Sequence, residues 1–168
     1  MRDADPTEDA RVLYDAYGAA LYRFCHRLSL SADEAGDLVA ETFLDAMRAK
    51  TPVGTMENPY AWLCRVAVRR WTRRRRSLRR FLPLASVEGH AAPPSQDFTD
   101  LERALARLPD RLRIVFVMVR AEGLTYAEAA LVLGVPEGTL KSRVHEATAR
   151  LRRDLADVLP ETSLCETR

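Results

Sequence analysis

Apolar side chains recur at spacings of three and four along most of this chain, and the recurrence divides it into helix-sized segments. From Thr7 the residues Leu13, Tyr14, Tyr17, Leu21, Phe24, Cys25 and Leu28 fall on one helical face, which ends near Ser29. Ser31, Ala32, Asp33 and Glu34 then read as a capping box, in which the Ser31 hydroxyl accepts from an orphan amide and Glu34 reaches back to the Ser31 N–H. The helix so opened turns Ala35, Leu38, Val39, Thr42, Phe43, Ala46 and Met47 inward and sets Asp37, Glu41 and Asp45 in an acidic stripe beside them. Residues 51–54 break the pattern. Asn58 followed by Pro59 supplies an N-cap and a proline at the first helical position, where a missing N–H costs little. The third helix then buries Tyr60, Leu63, Cys64, Ala67, Val68 and Trp71.

After residue 80 the periodicity fades while Pro83, Gly89, Pro93 and Pro94 accumulate, which predicts a flexible linker over 81–98. A second capping box, Thr99 to Glu102, opens a short helix through Arg107. Pro109 starts another, reaching about Arg120 with Ile114, Val115, Met118 and Val119 inside, and Gly123 suits a left-handed cap. A third box, Thr125 to Glu128, opens a short helix that stops at Gly134, and Pro136 begins a last helix with Leu140, Val144, Ala147, Leu151 and Leu155 as its apolar stripe. The fold class this predicts is all-α: two small helical domains, 7–80 and 99–159, joined by the linker.

Composition narrows the picture. Among 168 residues, a hydrophobic share of 47% excludes wholesale disorder, and the longest strongly apolar run, 114–119, is far below the roughly 20 residues of a membrane helix. The N-terminus lacks a basic start followed by an apolar stretch, so no secretory signal is expected and the cytoplasm is the default. Cys25, Cys64 and Cys165 show neither disulfide nor metal-ligand spacing and read as plain thiols; no metal or cofactor is implied. The net charge of +2 conceals a segregation. Residues 1–58 carry 6 basic and 11 acidic side chains, 59–80 carry 9 basic and none acidic, and 81–168 carry 11 and 13. A helix holding Arg65, Arg69, Arg70, Arg73, Arg74, Arg75, Arg76, Arg79 and Arg80 is a candidate footprint for a polyanion, with a solvated basic face as the alternative.

The last two helices and the turn at Gly134 and Val135 have the parts of a helix-turn-helix. At about 100° per residue the core stripe of the last helix centres on Leu140 and Val144, which leaves Gly138, Lys141, Ser142 and His145 on the far face or its flanks and Arg143 at the edge. Short polar and basic groups at a helix N-terminus suit entry into a major groove. An ordinary three-helix bundle with a solvated face is the competing reading.

The stretches LARLPDR at 105–111, GLTYAE at 123–128 and LGVPEGTLKSRVH at 133–145 resemble the C-terminal promoter-reading domain of extracytoplasmic-function sigma factors of the sigma-70 family. DLVAETF at 37–43 and AWLCRVA at 61–67 resemble the N-terminal domain of the same family, in the same order, so the likeness covers about residues 10–156. The resemblance implies a non-enzymatic subunit that binds core RNA polymerase through the beta-prime clamp helices and the beta flap, with promoter DNA as second partner and an anti-sigma factor as inhibitor. It implies polymerase docking by Asp37, Leu38, Glu41 and Phe43, although an acidic stripe is commonly just solvated. It implies minus-ten contacts from Asn58, Arg65, Arg69, Arg70, Arg73 and Arg74, and minus-thirty-five contacts from Gly138, Thr139, Lys141, Ser142, Arg143 and His145. Trp62 could stack on an extruded base, but its helical position favours the core. Arg69 and Arg73 stand where many relatives carry Asn and Asp, and Ala40 where Gln is frequent; the first difference favours stronger backbone contact with melted DNA and leaves the base preference open. The alternatives are a helix-turn-helix regulator that acts without polymerase and a sigma-like interaction module that has lost promoter binding.

Overall fold

Each helix starts either where a side chain can absorb amide hydrogens that a helix N-terminus leaves without partners or at or just after a proline. In the computed structural model, which describes residues 6–49, 57–81 and 99–156, these starts frame seven α-helices. They are α1 (Pro6–Ser29), α2 (Ala32–Arg48), α3 (Pro59–Phe81), α4 (Asp100–Arg107), α5 (Asp110–Phe116), α6 (Tyr126–Leu133) and α7 (Glu137–Ala156), with a π-helical turn, Val117–Ala121, continuing α5. The segment expected as a linker lies, beyond Phe81, outside the described residues, as does Cys165. Among the described residues no helix is long and apolar enough to cross a membrane.

The caps at Thr99 and Thr125 are complete boxes, each threonine accepting from the N3 amide while Glu102 or Glu128 accepts from the cap N–H. Asn58 Oδ1 accepts from the Ala61 N–H at 2.9 Å and caps α3. The box expected at Ser31 is only half made. Ser31 accepts from the Glu34 N–H, but the Ser31 N–H is taken by Ser29 Oγ at 3.3 Å. The Glu34 carboxyl is instead half-buried, and desolvation pushes its pKa up against the pull of Arg75, Arg74 and Arg113.

Helices α1–α3 pack together as an N-terminal helical domain and α4–α7 as a C-terminal one. The inward faces run close to expectation: Leu21, Phe24, Cys25 and Leu28 of α1, Leu38 of α2, and Leu63, Cys64 and Trp71 of α3 are essentially solvent-free. Two positions depart. Met47 is exposed near the end of α2, and Tyr14 is 57% exposed, with its ring edge-on to Phe43 at 5.1 Å. Burial raises the thiol pKa of Cys25 to about 12 and pushes that of Cys64 up as well.

The two domains also lie against each other, α1 and α3 meeting α5, the π turn and α6, so that one apolar core runs through both. Polar groups define the contact. Arg27 Nη1 donates to Glu122 Oε1 at 2.6 Å and Tyr60 OH donates to Glu122 Oε2 at 2.5 Å, which satisfies both oxygens of a carboxylate whose side chain is only 7% exposed. Arg75 donates twice to Asp110, at 3.1 and 3.2 Å. Asn58 Nδ2 donates to Glu128 Oε1 at 2.5 Å.

At the centre lies Arg113, with no solvent exposure. Its guanidinium donates to the carbonyls of Leu28 at 2.9 Å, Leu108 at 3.3 Å and Ala106 at 3.5 Å, and stands 5.9 Å from the Trp71 ring centroid. Burial lowers its pKa to about 10, opposed by Asp110 at 3.6 Å, so the group is charged at neutral pH. The π turn positions the other anchor. The Glu122 N–H reaches back five residues to the Val117 carbonyl at 3.0 Å, one more than α geometry takes, and delivers Glu122 to α1 and α3.

Truncating Arg113→Ala removes the donor from three buried carbonyls and leaves a cavity, so urea unfolding of the whole chain is expected to show a loss of about 3 kcal/mol. Arg113→Met restores the volume but not the hydrogen bonds and should recover part of that loss. An unchanged urea midpoint for the alanine variant would remove Arg113 from its central place.

Candidate nucleic-acid interface

The second helix of a helix-turn-helix offers its outer face only if the first holds it from behind. Here α6 and α7 are joined at Gly134, whose φ of 65° lies in the left-handed region that glycine enters without strain. Leu140, Val144, Ala147 and Leu151 anchor α7 in the core. This leaves Gly138, Lys141, Ser142 and His145 exposed and Thr139 and Arg143 half-buried along one edge of its first turns. The six expected minus-thirty-five residues are therefore brought together. A Cβ added at Gly138 meets nothing within 4 Å, so nothing inside the chain demands glycine there.

The local chemistry of this face is partly committed. Ser142 Oγ donates back to the Thr139 carbonyl at 2.9 Å, and Lys141 Nζ lies 2.7 Å from Glu137 Oε1 and 5.7 Å from the centre of the Tyr126 ring. The hydrogen bond to Glu137 raises the Lys141 pKa. Arg143 makes no ion pair among the described residues.

On the N-terminal domain the arginines of α3 divide into two sets. Arg70 forks onto Asp45, through Nε at 2.7 Å and Nη2 at 2.5 Å, and reaches Glu41 at 2.8 Å; Arg74 meets Glu41 at 2.6 Å and Asp37 at 3.6 Å. Burial alone would raise the Glu41 pKa, but the bonds from Arg74 and Arg70 hold it below the usual carboxylate range, and the Arg70 bond does the same for Asp45. Arg70 is raised in turn, first by its bond to Asp45. Arg69 and Arg73 are exposed on the same groove, of about 540 Å³, and pair with no acid among the described residues. Arg65 is half-buried with its Nε unpartnered.

Two sets of expected contacts sit differently from the sequence reading. Leu38 is 0% and Phe43 8% exposed, so both are placed beneath the acidic stripe rather than on the surface. The apolar groups that α2 does present are Leu44 and Met47, with exposed Ala40 in line with them at helical spacing. Of these, Leu44 lies outside the apolar stripe expected in the sequence and was the available signal, whereas Met47 reads there as inward. Asn58 uses one side-chain atom to cap α3 and the other to bind Glu128. Trp62 is half-buried and packed on the core, as its helical position favours.

Residues 13–81 match the family described as Sigma-70 region 2, and residues 98–151 the one described as Sigma-70, region 4. The chain is 35% identical over 159 residues to the ECF RNA polymerase sigma factor SigL of Mycobacterium tuberculosis, an alignment covering 88% of this chain and 89% of that one. Among solved structures it is similar to the sigma factor RpoE of Bartonella quintana in complex with the anti-sigma factor NepR, with a TM-score of 0.74, 29% identity, and coverage of 88% of this chain and 97% of that one. It is similar also to CnrH in complex with the cytosolic domain of CnrY, with a TM-score of 0.61, 25% identity, and coverage of 93% and 99%. Two helical domains in this order, each matching its own sigma region, and a relative aligned over nearly its whole length show that the chain belongs to the extracytoplasmic-function sigma factors, the subunits that direct RNA polymerase to initiate transcription at promoters.

Proposed function

We propose that residues 7–80 grip core RNA polymerase and melted minus-ten DNA, and that residues 99–159 read the minus-thirty-five duplex. The observation that carries this is the edge of α7 from Gly138 to His145, polar and basic in its first turns and held from behind by Leu140 and Val144. A helix entering the major groove by its N-terminus brings such groups to base edges and phosphates. In this role nucleotide addition belongs to the polymerase. By analogy with RpoE, whose structure holds the anti-sigma factor NepR, an anti-sigma factor is a further partner.

For polymerase docking, Asp37 and Glu41 line the surface for the beta-prime clamp helices, Leu38 and Phe43 support it from below, and Ala40, Leu44 and Met47 add apolar contact; the beta flap falls to the C-terminal domain. For minus-ten DNA, Arg69 and Arg73 are the ready phosphate ligands. Arg65 stands beside them, while Arg70 and Arg74 first hold α3 to α2. Asn58 reaches a base only once Glu128 lets go of it.

Run-off transcription with sigma-free core polymerase on a promoter library, with and without the chain, tests the whole reading. Starts sharing a pair of upstream elements are expected. Background transcription together with duplex binding by the chain alone would identify a regulator that works without polymerase. In the same assay Lys141→Glu combined with Arg143→Glu is expected to abolish promoter-specific starts.

The two arginine sets predict opposite phenotypes. Arg69→Ala with Arg73→Ala should weaken open-complex formation while leaving the urea midpoint where it was. Arg70→Met should lower that midpoint and flatten its fall in acid, because it removes the chief partner that depresses Asp45 and one of the two arginines that depress Glu41. Their stabilisation is complete above the ordinary carboxylate pKa of about 4 and is lost as pH drops through the lower folded values. Identical behaviour of the two variants would contradict the division.

A further inference from the structure

Arg120 on the π turn, Tyr126 at the start of α6, and Lys141, His145, Thr148 and Arg152 on α7 enclose a pocket of about 360 Å³. The α7 members follow each other at intervals of four, three and four, and so form one stripe along the helix. No acid lines the pocket, and Lys141 is the one cation there that meets a carboxylate among the described residues, Glu137 at 2.7 Å. Arg120 and Arg152 are exposed and make no ion pair among the described residues. Like charges gathered from separate helices repel one another, so the arrangement favours an incoming anion.

Distance along α7 separates two tasks. Arg152 stands eleven residues beyond Lys141, about 16 Å at the helical rise. A major groove is only about 8.5 Å deep. If the first turns of α7 reach base edges, Arg152 is left at the level of the phosphate ridge, where Arg120 converges on it from the π turn. The extra residue in that turn shifts the register of everything after it, and thus bears on both Arg120 and Glu122.

We infer that this pocket seats a backbone phosphate of the minus-thirty-five duplex, with Arg120 and Arg152 as its ligands, and that the contact sets the depth and register of α7 in the groove. The inference rests on α7 being the recognition helix, and it adds two positioning residues that carry no base preference of their own. Arg120 and Arg152 act on every sequence alike, whereas Lys141, Ser142 and His145 discriminate.

The test uses holoenzyme assembled from core polymerase and the full chain, with binding to the promoter duplex and to a set of single-base variants of the minus-thirty-five element followed from 50 to 200 mM salt. Arg120→Ala with Arg152→Ala is expected to weaken every sequence by the same factor. It should also make the plot of log affinity against log salt shallower by about 0.9 for each phosphate no longer neutralised. Arg120→Lys with Arg152→Lys, which keeps the charges, should restore most of the slope, and neither pair should alter thermal unfolding, since both side chains are exposed. An unchanged slope overturns the inference, as does a loss confined to particular bases. A separate arm adds inorganic phosphate at constant ionic strength. Phosphate binding that the alanine pair abolishes while DNA binding stays intact assigns the pocket to a free anion and also overturns it. Failure of the wild-type chain to direct any promoter-specific starts would instead sink the underlying sigma reading, so the two failures are distinguishable.

Discussion

A buried arginine joins the two halves of this molecule. The short contacts of Arg113 are backbone carbonyls, that of Leu28 near the end of α1 and those of Ala106 and Leu108 at the end of α4. The last carbonyls of a helix lack intrahelical partners and carry the negative end of its dipole. One guanidinium therefore satisfies orphan acceptors from two helices in two domains, in a geometry that its planar fork can meet and a lysine could not. Desolvation works against the charge, as its lowered pKa records. The carbonyls, Asp110 and the face of Trp71 offset that penalty, and the domain contact forms around them.

The basic block of α3 looks different once its partners are known. Nine arginines in 59–80 suggest one broad electrostatic footprint. In the structure Arg70 and Arg74 are held by the acids of α2, and Arg75 by Asp110 across the domain contact. Exposed Arg69, Arg73 and Arg76 make no such pairs among the described residues. Part of the charge that reads as free in the sequence is thus committed to packing, and the acidic stripe, which reads there as solvated, is its counterpart.

What was legible in the sequence was what local rules decide. The starts at Asn58, Thr99 and Thr125, the left-handed glycine at 123, the helix stop at Gly134 and the stripe Leu140, Val144, Ala147, Leu151 follow from capping, backbone freedom and helical period, and each stands as expected. The edge of α7 was legible for the same reason, since it is the complement of that stripe. What was not legible depends on groups far apart in the chain. Arg27 and Glu122 are 95 residues apart, and nothing near either one announces the other. Arg113 breaks no local rule and reads as one more surface cation. The π turn was missed because a single extra residue barely disturbs the apolar period. The half-made box at Ser31 failed because Ser29, two residues earlier, competes for the same amide.

The chemistry at the junction bears on what the domains can do. An apolar side chain in place of Arg113 would fill the same space without a desolvation penalty, but it would leave the carbonyls of Leu28, Ala106 and Leu108 without their donor. It would also be sticky whenever the domains part. A guanidinium is well solvated in water and in the contact donates to three carbonyls, with only its Nε unpartnered, so it favours one closed geometry. The same holds for Arg27, Tyr60 and Glu122, and for Asn58 with Glu128, all of which can exchange each other for water at modest net cost. Asn58, at the start of α3, and Glu128, in the cap of the helix-turn-helix, hold each other across this junction, so opening it frees the Asn58 amide, whereas the edge of α7 is exposed in the closed form as well.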